Sequence, residues 1–316
     1  MRVVFLGNDA WSVPSLEAVA ASGHDLALVA TREARPAGRG GKLRPTPVAE
    51  AARARDLPLR EVATVRSGPG FSAISAAKAD VLIVVAYGEI LPPEVLRLPS
   101  TAPVNVHFSL LPALRGANPV RKAILDGLDV TGVTTMVMDE GLDTGPILLQ
   151  AEEPILHDDD AGSLGVRLAR AGGALLVETL GGLEAGDLVP TPQDEAAATL
   201  APRMRPEEEW IDWTNDADAV DRLVRALSPE PGARTMFRGK VLKVFRALPK
   251  QDAASDTAGG TGTIGAFDPE GAVVVCGEEV VLLTDVLPEG RRRMSGAEFV
   301  RGYRPEVGER LGERPG

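Results

Sequence analysis

The sequence is poor in the residues that bind metals and form disulfides. It has a single cysteine, Cys276, and three histidines, His24, His107 and His157. One thiol forms no intramolecular disulfide, and so few Cys and His residues do not furnish a zinc cage of the usual Cys/His type. We therefore expect neither a disulfide-stabilised domain nor a metal centre.

Long apolar runs and a targeting signal are also missing. No stretch reaches the ~18 consecutive apolar residues that a membrane span needs. The start, Met1 to Ser12, lacks the basic-then-apolar order of a signal peptide. Of the 316 residues, 44% are hydrophobic and 25% charged, which is typical of a globular protein with one large or two ordinary domains. The sequence predicts a cytoplasmic protein that has no membrane partner.

Acidic residues outnumber basic ones, so the formal net charge is −11, but basic residues are concentrated in two segments. Residues 31–45 hold five basic residues against one acidic residue, and residues 222–250 hold eight against one. Basic segments on an acidic chain suit a polyanion that docks in one orientation, because the basic sites attract it and the acidic remainder repels it. On composition alone, solvated loops and strand faces explain these charges equally well.

Short apolar runs alternate with helical patterns over the first 150 residues. Val81 to Val85 is one such run, and others lie at 3–6, 26–30, 104–106 and 133–138. Near-continuous apolar strands separated by helices predict βαβ units around a buried sheet. We therefore expect an α/β domain with a Rossmann-like, mostly parallel sheet, whose ligand site lies beyond the carboxyl ends of the strands.

Two phosphate-binding fingerprints are absent from this domain. The basic, glycine-rich stretch from Pro36 to Pro45 predicts a long loop, but it fails the Walker pattern because Leu43 follows Lys42. The turn after the first strand has only one glycine, Gly7, so the dinucleotide fingerprint is missing as well. These absences argue against a nicotinamide-dependent reductase.

The chain changes character after Pro190. Residues 201–207 have the composition of a linker, and short alternating strands at roughly ten-residue spacing follow it. That spacing predicts a small, OB-like antiparallel β-barrel. We expect a catalytic domain at residues 1–200, a linker at 201–207 and a barrel domain at 208–316.

Two stretches, each after an apolar strand, carry residues that suit acyl-transfer chemistry. Asn105 and His107 are two positions apart in an extended run, so their side chains point to the same side. An imidazole moves protons, and a carboxamide donates hydrogen bonds to an oxygen that gains charge. Asp143, on a turn between Gly141 and Gly145, supplies a carboxylate that would orient a nearby imidazole. A core histidine, a loop-bonding Asn and a turn-capping Asp explain each residue singly, but the combination favours catalysis.

Four longer motifs identify a family. They are the loop from Pro36 to Pro47, Val85-Ala-Tyr-Gly-Glu-Ile-Leu-Pro92, the block from Asn105 to Pro119, and Gly141-Leu-Asp-Thr-Gly145. In these motifs the chain resembles the methionyl-tRNA formyltransferases, and the resemblance runs almost from end to end. Asn-x-His, Ser-Leu-Leu-Pro and Leu-Asp-Thr-Gly are shared by formyltransferases that use 10-formyltetrahydrofolate, whereas the basic loop and the terminal barrel select the tRNA enzymes among them.

The resemblance implies transfer of a formyl group from the co-substrate 10-formyltetrahydrofolate to the α-amine of methionine on initiator tRNA, with no metal. Asn105 would stabilise the tetrahedral oxyanion, and His107 would move the protons while Asp143 orients it. The folate would be contacted by four consecutive residues: Ser109, Leu110, Leu111 and Pro112.

The basic loop is the expected tRNA contact within the first domain. Arg39 and Lys42 lie among three glycines in a stretch that is too charged to pack. Such a segment is explained by phosphate contacts, so we expect both residues to bind tRNA. We expect a monomer whose partners are initiator methionyl-tRNA and the folate.

The chain departs from the family pattern at two informative positions. Phe108 stands where the family usually has glycine, so its ring must either point away from the folate or fill part of the pocket. In the barrel, Glu230 replaces a frequent Trp, which removes an aromatic surface from an RNA-facing loop.

Two other activities share the central motifs, namely formylation of a nucleotide amino sugar and hydrolysis of formyltetrahydrofolate. A non-catalytic RNA-binding protein would leave Asn105, His107 and Asp143 unexplained.

Overall fold

The computed structural model describes residues 1–37, 42–250 and 260–312. Within these ranges the chain forms fifteen strands: β1 Arg2–Gly7, β2 Asp25–Arg32, β3 Arg35–Ala37, β4 Lys42–Arg44, β5 Leu59–Val62, β6 Val81–Val85, β7 Ala102–His107, β8 Val130–Val137, β9 Ile147–Pro154, β10 Ala233–Phe237, β11 Lys240–Lys250, β12 Ile264–Asp268, β13 Gly271–Cys276, β14 Glu279–Pro288 and β15 Met294–Ser295. The α-helices in the same ranges are α1 Val13–Ala21, α2 Pro47–Ala54, α3 Gly68–Ala77, α4 Pro93–Leu96, α5 Pro119–Leu125, α6 Ala161–Ala185, α7 Ala217–Ala226 and α8 Gly296–Tyr303. None of these helices is long and apolar enough to cross a membrane.

The chain divides into two compact units. Unit 1 comprises Met1–Pro119, Val130–Pro154 and Gly165–Pro202. Unit 2 comprises Val120–Asp129, Ile155–Leu164 and Arg203–Gly316. The last change from unit 1 to unit 2 follows Pro202, inside the segment 201–207 that the sequence predicts as a linker; the domain bounds themselves stay a prediction.

Unit 1 is built on a seven-stranded sheet of order β5-β2-β1-β6-β7-β8-β9. The pairs from β5 to β7 are parallel, and β8 and β9 are added in antiparallel orientation. Strand β6 is buried along its whole length, as its uninterrupted apolar run predicts. The prediction of a Rossmann-like, mostly parallel sheet is confirmed.

The outer strands of this sheet were not apparent from the sequence. Strand β5 contains Arg60 and Glu61, and β9 alternates buried or half-buried residues with exposed ones such as Glu152. An edge strand has less of its surface covered than a central strand, so its apolar run is shorter and broken by charges.

The basic loop is more regular at its ends than the sequence predicts. Strands β3 and β4 form a two-stranded antiparallel ladder in which Arg35 lies opposite Arg44 and Pro36 opposite Leu43. The prediction of a long loop from residue 36 to 45 is therefore wrong at both ends of this segment. Proline is tolerated because a two-stranded ladder consists of edges only, where a missing N–H leaves no buried partner unpaired.

Unit 2 contains an antiparallel sheet of order β10-β11-β14-β13-β12, in which β15 also pairs with β14. The two edges of this path, β10 and β12, are joined by the residues that follow α8. Gly312 pairs with Met236 of β10, and Arg310 pairs with Thr263 immediately before β12. Leu311, between them, is buried in the core of the unit. This double pairing closes the sheet, and the prediction of a small antiparallel barrel is confirmed.

Helix α7 covers part of the barrel core. Asp216 caps its first turn by accepting the Ala219 N–H, and its apolar residues Val220 and Val224 are buried at the four-residue spacing of one helix face. Trp213 is also buried in this core, and its indole Nε1 donates to Thr235 Oγ1 at 3.0 Å. The indole of Trp213 therefore serves packing within unit 2.

Candidate active site

Strand β7 presents Asn105 and His107 at its carboxyl end. The strand lies between β6 and β8, where Asn105 is opposite Val84 and Met136, and His107 is opposite Thr134. Their two-residue spacing puts both side chains on one face of the sheet, as the sequence predicts. Asn105 is half-buried, and among the described residues no hydrogen bond joins its side-chain amide to another protein group. The amide can therefore donate to an oxygen of a bound substrate.

The imidazole of His107 is buried, with 5% of the residue exposed, and is held at both nitrogens. Nε2 lies 3.0 Å from the carbonyl oxygen of Leu114, and Nδ1 lies 3.6 Å from Oδ2 of Asp143. A backbone carbonyl only accepts hydrogen bonds, so Nε2 carries a hydrogen. A proton taken up at Nδ1 would convert the contact with Asp143 into an ion pair.

Asp143 is placed by a tight turn between β8 and β9. Its backbone is left-handed, with φ +55°, and its Oδ2 accepts the N–H of Gly116 at 2.8 Å. The turn is closed by Asp139, whose Oδ1 accepts from the N–H of Gly141 and the hydroxyl of Thr144. Gly145 is required there, because a Cβ atom would lie 1.8 Å from the carbonyl oxygen of Val137. The Gly-Leu-Asp-Thr-Gly motif thus brings a carboxylate to the imidazole.

The predicted folate-contacting segment is anchored to β8. Thr134 Oγ1 donates to the carbonyl of Ser109 at 2.7 Å and accepts the N–H of Leu111 at 3.0 Å. The hydroxyl of Ser109 donates to the carbonyl of Ala113 at 2.6 Å. Leu110 lies so close to Gly132 that a Cβ atom there would be 2.5 Å from its Cδ2. The segment Ser109 to Pro112 is therefore a fixed feature beside the site, and its contact with folate stays a prediction.

Phe108 points to the opposite face of the sheet from His107. Its ring is 6% exposed and meets the indole of Trp11 edge to face, with ring centroids 6.0 Å apart. On the same side, a Cβ atom at Gly172 of α6 would lie 3.5 Å from the Phe108 ring. The ring therefore packs under the helix, which favours the first of the two alternatives; the position of the folate stays a prediction.

A buried arginine and a glutamine next to this site were missed by sequence reasoning. Arg115 is 5% exposed, and its guanidinium donates to Gln193 Oε1 and to both carboxylate oxygens of Glu195 at 2.8–3.0 Å. The Glu195 carboxylate raises the pKa of Arg115, and the same hydrogen bonds lower the pKa of Glu195. Gln193 lies 78 positions beyond Arg115, in a stretch without helical or strand periodicity. Nothing local in the sequence indicates that it reaches the site.

The structure describes the two predicted tRNA contacts, Arg39 and Lys42, only in part. Arg39 lies outside the described residues, and of Lys42 only the backbone, in β4, is described. In the second basic segment, within the described part of the chain, four cations are ion-paired with carboxylates. The pairs are Arg225–Asp221, Arg234–Glu209, Arg238–Glu309 and Lys250–Asp268. Partner carboxylates from outside residues 222–250 therefore neutralise part of the positive charge that the sequence shows there.

Comparisons with known proteins give the family. Residues 1–180 match the formyl transferase family, and residues 203–304 match the formyl transferase C-terminal domain. The chain is 42% identical over 313 residues to a methionyl-tRNA formyltransferase of Solibacter usitatus, covering 99% of both chains. It is 43% identical over 311 residues to one of Acidithiobacillus ferrooxidans, covering 98% of both.

A solved structure shares the fold at low sequence identity. HypX of Aquifex aeolicus, in complex with tetrahydrofolic acid, superposes with a TM-score of 0.67 at 21% identity. The match covers 98% of this chain and 48% of HypX, so the chain spans about half the length of that protein. With the two domain matches and the full-length relatives, the family resemblance is confirmed: the chain belongs to the formyl transferase family and, within it, to the methionyl-tRNA formyltransferases.

Proposed function

We propose that this protein transfers the formyl group of 10-formyltetrahydrofolate to the α-amine of methionine esterified to initiator tRNA. The observation that carries the proposal is the meeting of His107 and Asp143 beside a half-buried, unengaged Asn105 amide. Full-length relatives named methionyl-tRNA formyltransferase supply the reaction class. The cytoplasmic location and the monomeric state that the sequence predicts stay predictions.

The three residues would divide the chemistry between them. The amine attacks the formyl carbon, which gives a tetrahedral intermediate with a negatively charged oxygen, and the bond from that carbon to the folate nitrogen then breaks. The Asn105 amide would donate to the oxygen; one such donor is typically worth about 3 kcal/mol. His107 would take the ammonium proton at Nδ1 and return a proton to the leaving nitrogen. Asp143, 3.6 Å from Nδ1, would stabilise the imidazolium that forms between these steps.

The folate would lie beside the anchored segment Ser109 to Pro112. Because the Ser109 hydroxyl and the backbone N–H of Leu111 are already engaged, this segment would present a rigid apolar edge to the co-substrate. In the described ranges no group of three or more His, Cys, Asp and Glu residues is arranged to hold a metal ion. The proposed steps use side chains of the protein and the two substrates alone.

The tRNA would be held in part by Arg39 and Lys42. Each phosphate contact releases about one condensed counterion or slightly fewer, so each contact makes binding more salt-dependent. If the loop also positions the aminoacyl end, loss of a contact lowers turnover as well as affinity, since misplacing the amine reduces its effective concentration at the formyl carbon.

One assay tests the reaction and its acceptor together. Purified protein and 10-formyltetrahydrofolate are supplied in parallel with charged initiator tRNA, charged elongator tRNA, a nucleotide amino sugar and water. We expect rapid transfer to charged initiator tRNA only. Preferred transfer to the amino sugar, or hydrolysis at the same rate with and without tRNA, would contradict the proposed acceptor.

Variants of the strand end test the proposed roles. Asn105→Ala and His107→Ala should each lower turnover by at least about a hundredfold, because one removes an oxyanion donor and the other removes the proton acceptor. Circular dichroism checks that both variants are folded. Near-native turnover in either variant would remove that residue from the mechanism.

The tRNA contacts are tested by comparing two reactions of the same variants. Arg39→Ala and Lys42→Ala should impair formylation of methionyl-tRNA far more than hydrolysis of formyl-folate, and should flatten the salt dependence of tRNA binding. Arg60→Ala, which removes an exposed cation on the edge strand β5, is the matched control. Equal losses in both reactions, or an unchanged salt slope, would show that the tRNA docks elsewhere.

A further inference from the structure

The residues that hold the proposed catalytic pair lie on two loops. One is the loop after β7, in which the Leu114 carbonyl binds His107 Nε2 and the Gly116 N–H binds Asp143 Oδ2. The other is the turn that contains Asp143 and Gly145. We propose that Gln193 is a positioning residue that ties these two loops together and thereby sets the contact between Asp143 and His107. This inference rests on the proposed function of those two residues.

Gln193 uses its whole amide for this purpose. Nε2 donates to the carbonyl oxygens of Asp143 and Gly145 at 2.8 and 2.7 Å. Oε1 accepts from Nε and Nη2 of Arg115 at 3.0 and 2.8 Å. The orientation of the amide is unambiguous, because a guanidinium only donates and a backbone carbonyl only accepts. The site needs two N–H donors toward the carbonyls of Asp143 and Gly145 and one acceptor toward Arg115. Among side chains of this length only glutamine supplies both.

Arg115 carries the connection to the loop after β7. Its backbone lies between Leu114 and Gly116, the two residues that contact the catalytic pair, and its side chain is buried. The charge of the guanidinium is balanced by Glu195, two positions after Gln193. Movement of Gln193 would therefore reach His107 through Leu114 and Asp143 through Gly116.

Residues 193–201, which include Gln193, also bind the loop after β7 through their backbone and Thr199. Thr199 accepts the N–H of Leu114 at its hydroxyl, and its carbonyl accepts the N–H of Arg115, both at 2.9 Å. Arg115 in turn accepts the N–H of Ala201 at 2.7 Å. Residues 193–201 thus form a strap along the loop, and Gln193 is the strap residue that also reaches the turn of Asp143.

Each loop contains one residue in the left-handed backbone conformation. These residues are Leu114 and Asp143, with φ +61° and +55°, a conformation that is sterically unfavourable for Leu and less so for Asp. Such residues keep their conformation where the surroundings over-determine it. Without the two bonds from Gln193 Nε2, the Asp143 turn depends for its position on its bonds to Asp139 and Gly116. A shift of about 1 Å near the reacting groups can cost a hundredfold in rate.

Two substitutions separate positioning from packing. Gln193→Met keeps a similar length without hydrogen bonds, and Gln193→Glu keeps the pairing with Arg115 but turns a carboxylate oxygen toward two carbonyl oxygens. We expect both to lower kcat by about ten- to a hundredfold, with KM for each substrate changed less than about threefold. In Gln193→Glu, acidification should recover part of kcat relative to Gln193→Met, because a protonated carboxyl group regains one donor. The control Thr179→Val removes buried hydrogen bonds to Thr135 and Leu175 in the same unit and should leave kcat unchanged.

Amide hydrogen exchange gives a readout that does not depend on the reaction. Peptides covering residues 113–116 and 141–145 should exchange faster in Gln193→Met than in wild type and Thr179→Val. Exchange unchanged in both peptides, or a kcat equal to that of Thr179→Val at the same folded fraction, would overturn the proposal. A wild-type protein that formylates none of the four acceptors would refute the proposed function instead, while the exchange result would still decide whether Gln193 positions the loops.

Discussion

Replacing Phe108 by glycine should lower stability and leave formyl transfer intact. Formyltransferases usually have glycine at this position, which suggests that the substitution would open the folate pocket. The ring instead packs against Trp11 under α6, on the face of the sheet opposite His107. Its removal would leave a cavity in the core and keep the lining of the proposed site.

The size of the effect follows from the burial of the ring. Truncating a buried Phe to Ala costs about 3–5 kcal/mol, which includes the cavity left behind. Glycine adds about 0.5–1 kcal/mol through backbone entropy, so we expect a loss of about 4–6 kcal/mol at Phe108. For a unit of this size the midpoint of thermal unfolding should fall on the order of 10–20 °C. Phe108→Leu, which keeps most of the volume, should lose much less.

Thermal unfolding followed by circular dichroism and steady-state kinetics below the midpoint test this prediction. Phe267→Ala, which truncates a partly exposed ring in unit 2, is the control and should lower the midpoint little. We expect KM for 10-formyltetrahydrofolate to change less than about threefold in Phe108→Gly. A large change in that KM, with the midpoint near that of wild type, would mean that the ring lines the folate pocket and that the packing argument is wrong.

Three further predictions concern the side chains of Asp143, Glu195 and Cys276. Asp143→Asn should lower turnover, because Asp143 Oδ2 lies 3.6 Å from His107 Nδ1 and an amide in its place carries no negative charge to stabilise the imidazolium; turnover equal to that of wild type in a folded variant would separate the two residues. The pKa of Glu195 is lowered by its hydrogen bonds from Arg115, so this pair stabilises the fold above the ordinary Glu value of 4.5 and ceases to do so as the pH falls through the lower folded-state value. The difference in unfolding midpoint between wild type and Glu195→Gln should shrink accordingly on acidification. Burial raises the pKa of the Cys276 thiol to about 12, so iodoacetamide should alkylate it only after unfolding; modification of native protein would contradict its burial.

The central strands and the shared face of Asn105 and His107 could be predicted from the sequence because their signals are local. An uninterrupted apolar run such as Val81 to Val85 requires cover on both faces, and the structure provides it. Asn105 and His107 share a face by the two-residue period of a strand, whatever surrounds them. The glycines around Asp143 indicate a turn. Its approach to His107 is a tertiary contact, which the combination of the three residues favours and the family resemblance implies.

The parts that could not be predicted depend on partners distant in sequence. Gln193 has no local signature, and its role arises from bonds to residues about 50 to 80 positions away. The same limit applies to charge, since Arg234 and Arg238 look unpaired in sequence but meet Glu209 and Glu309 in the fold. Counting charges along a segment measures its composition, whereas the field at the surface depends on which acids the fold brings beside it.

The closure of the barrel by Arg310 to Gly312 has a consequence for synthesis on the ribosome. Strands β10 and β12 are complete well before these residues emerge, and the outer backbone groups of Met236 and Ile264 then lack the partners that residues 308–312 supply. A nascent chain that has reached Arg304, where the match to the C-terminal family domain ends, has all the strands of the barrel and nothing to join its edges. Leu311, which is buried in the core, is missing from it as well. Premature release at that length would therefore yield an open sheet that is more prone to aggregation, and eight more residues supply the bridge between its two edges.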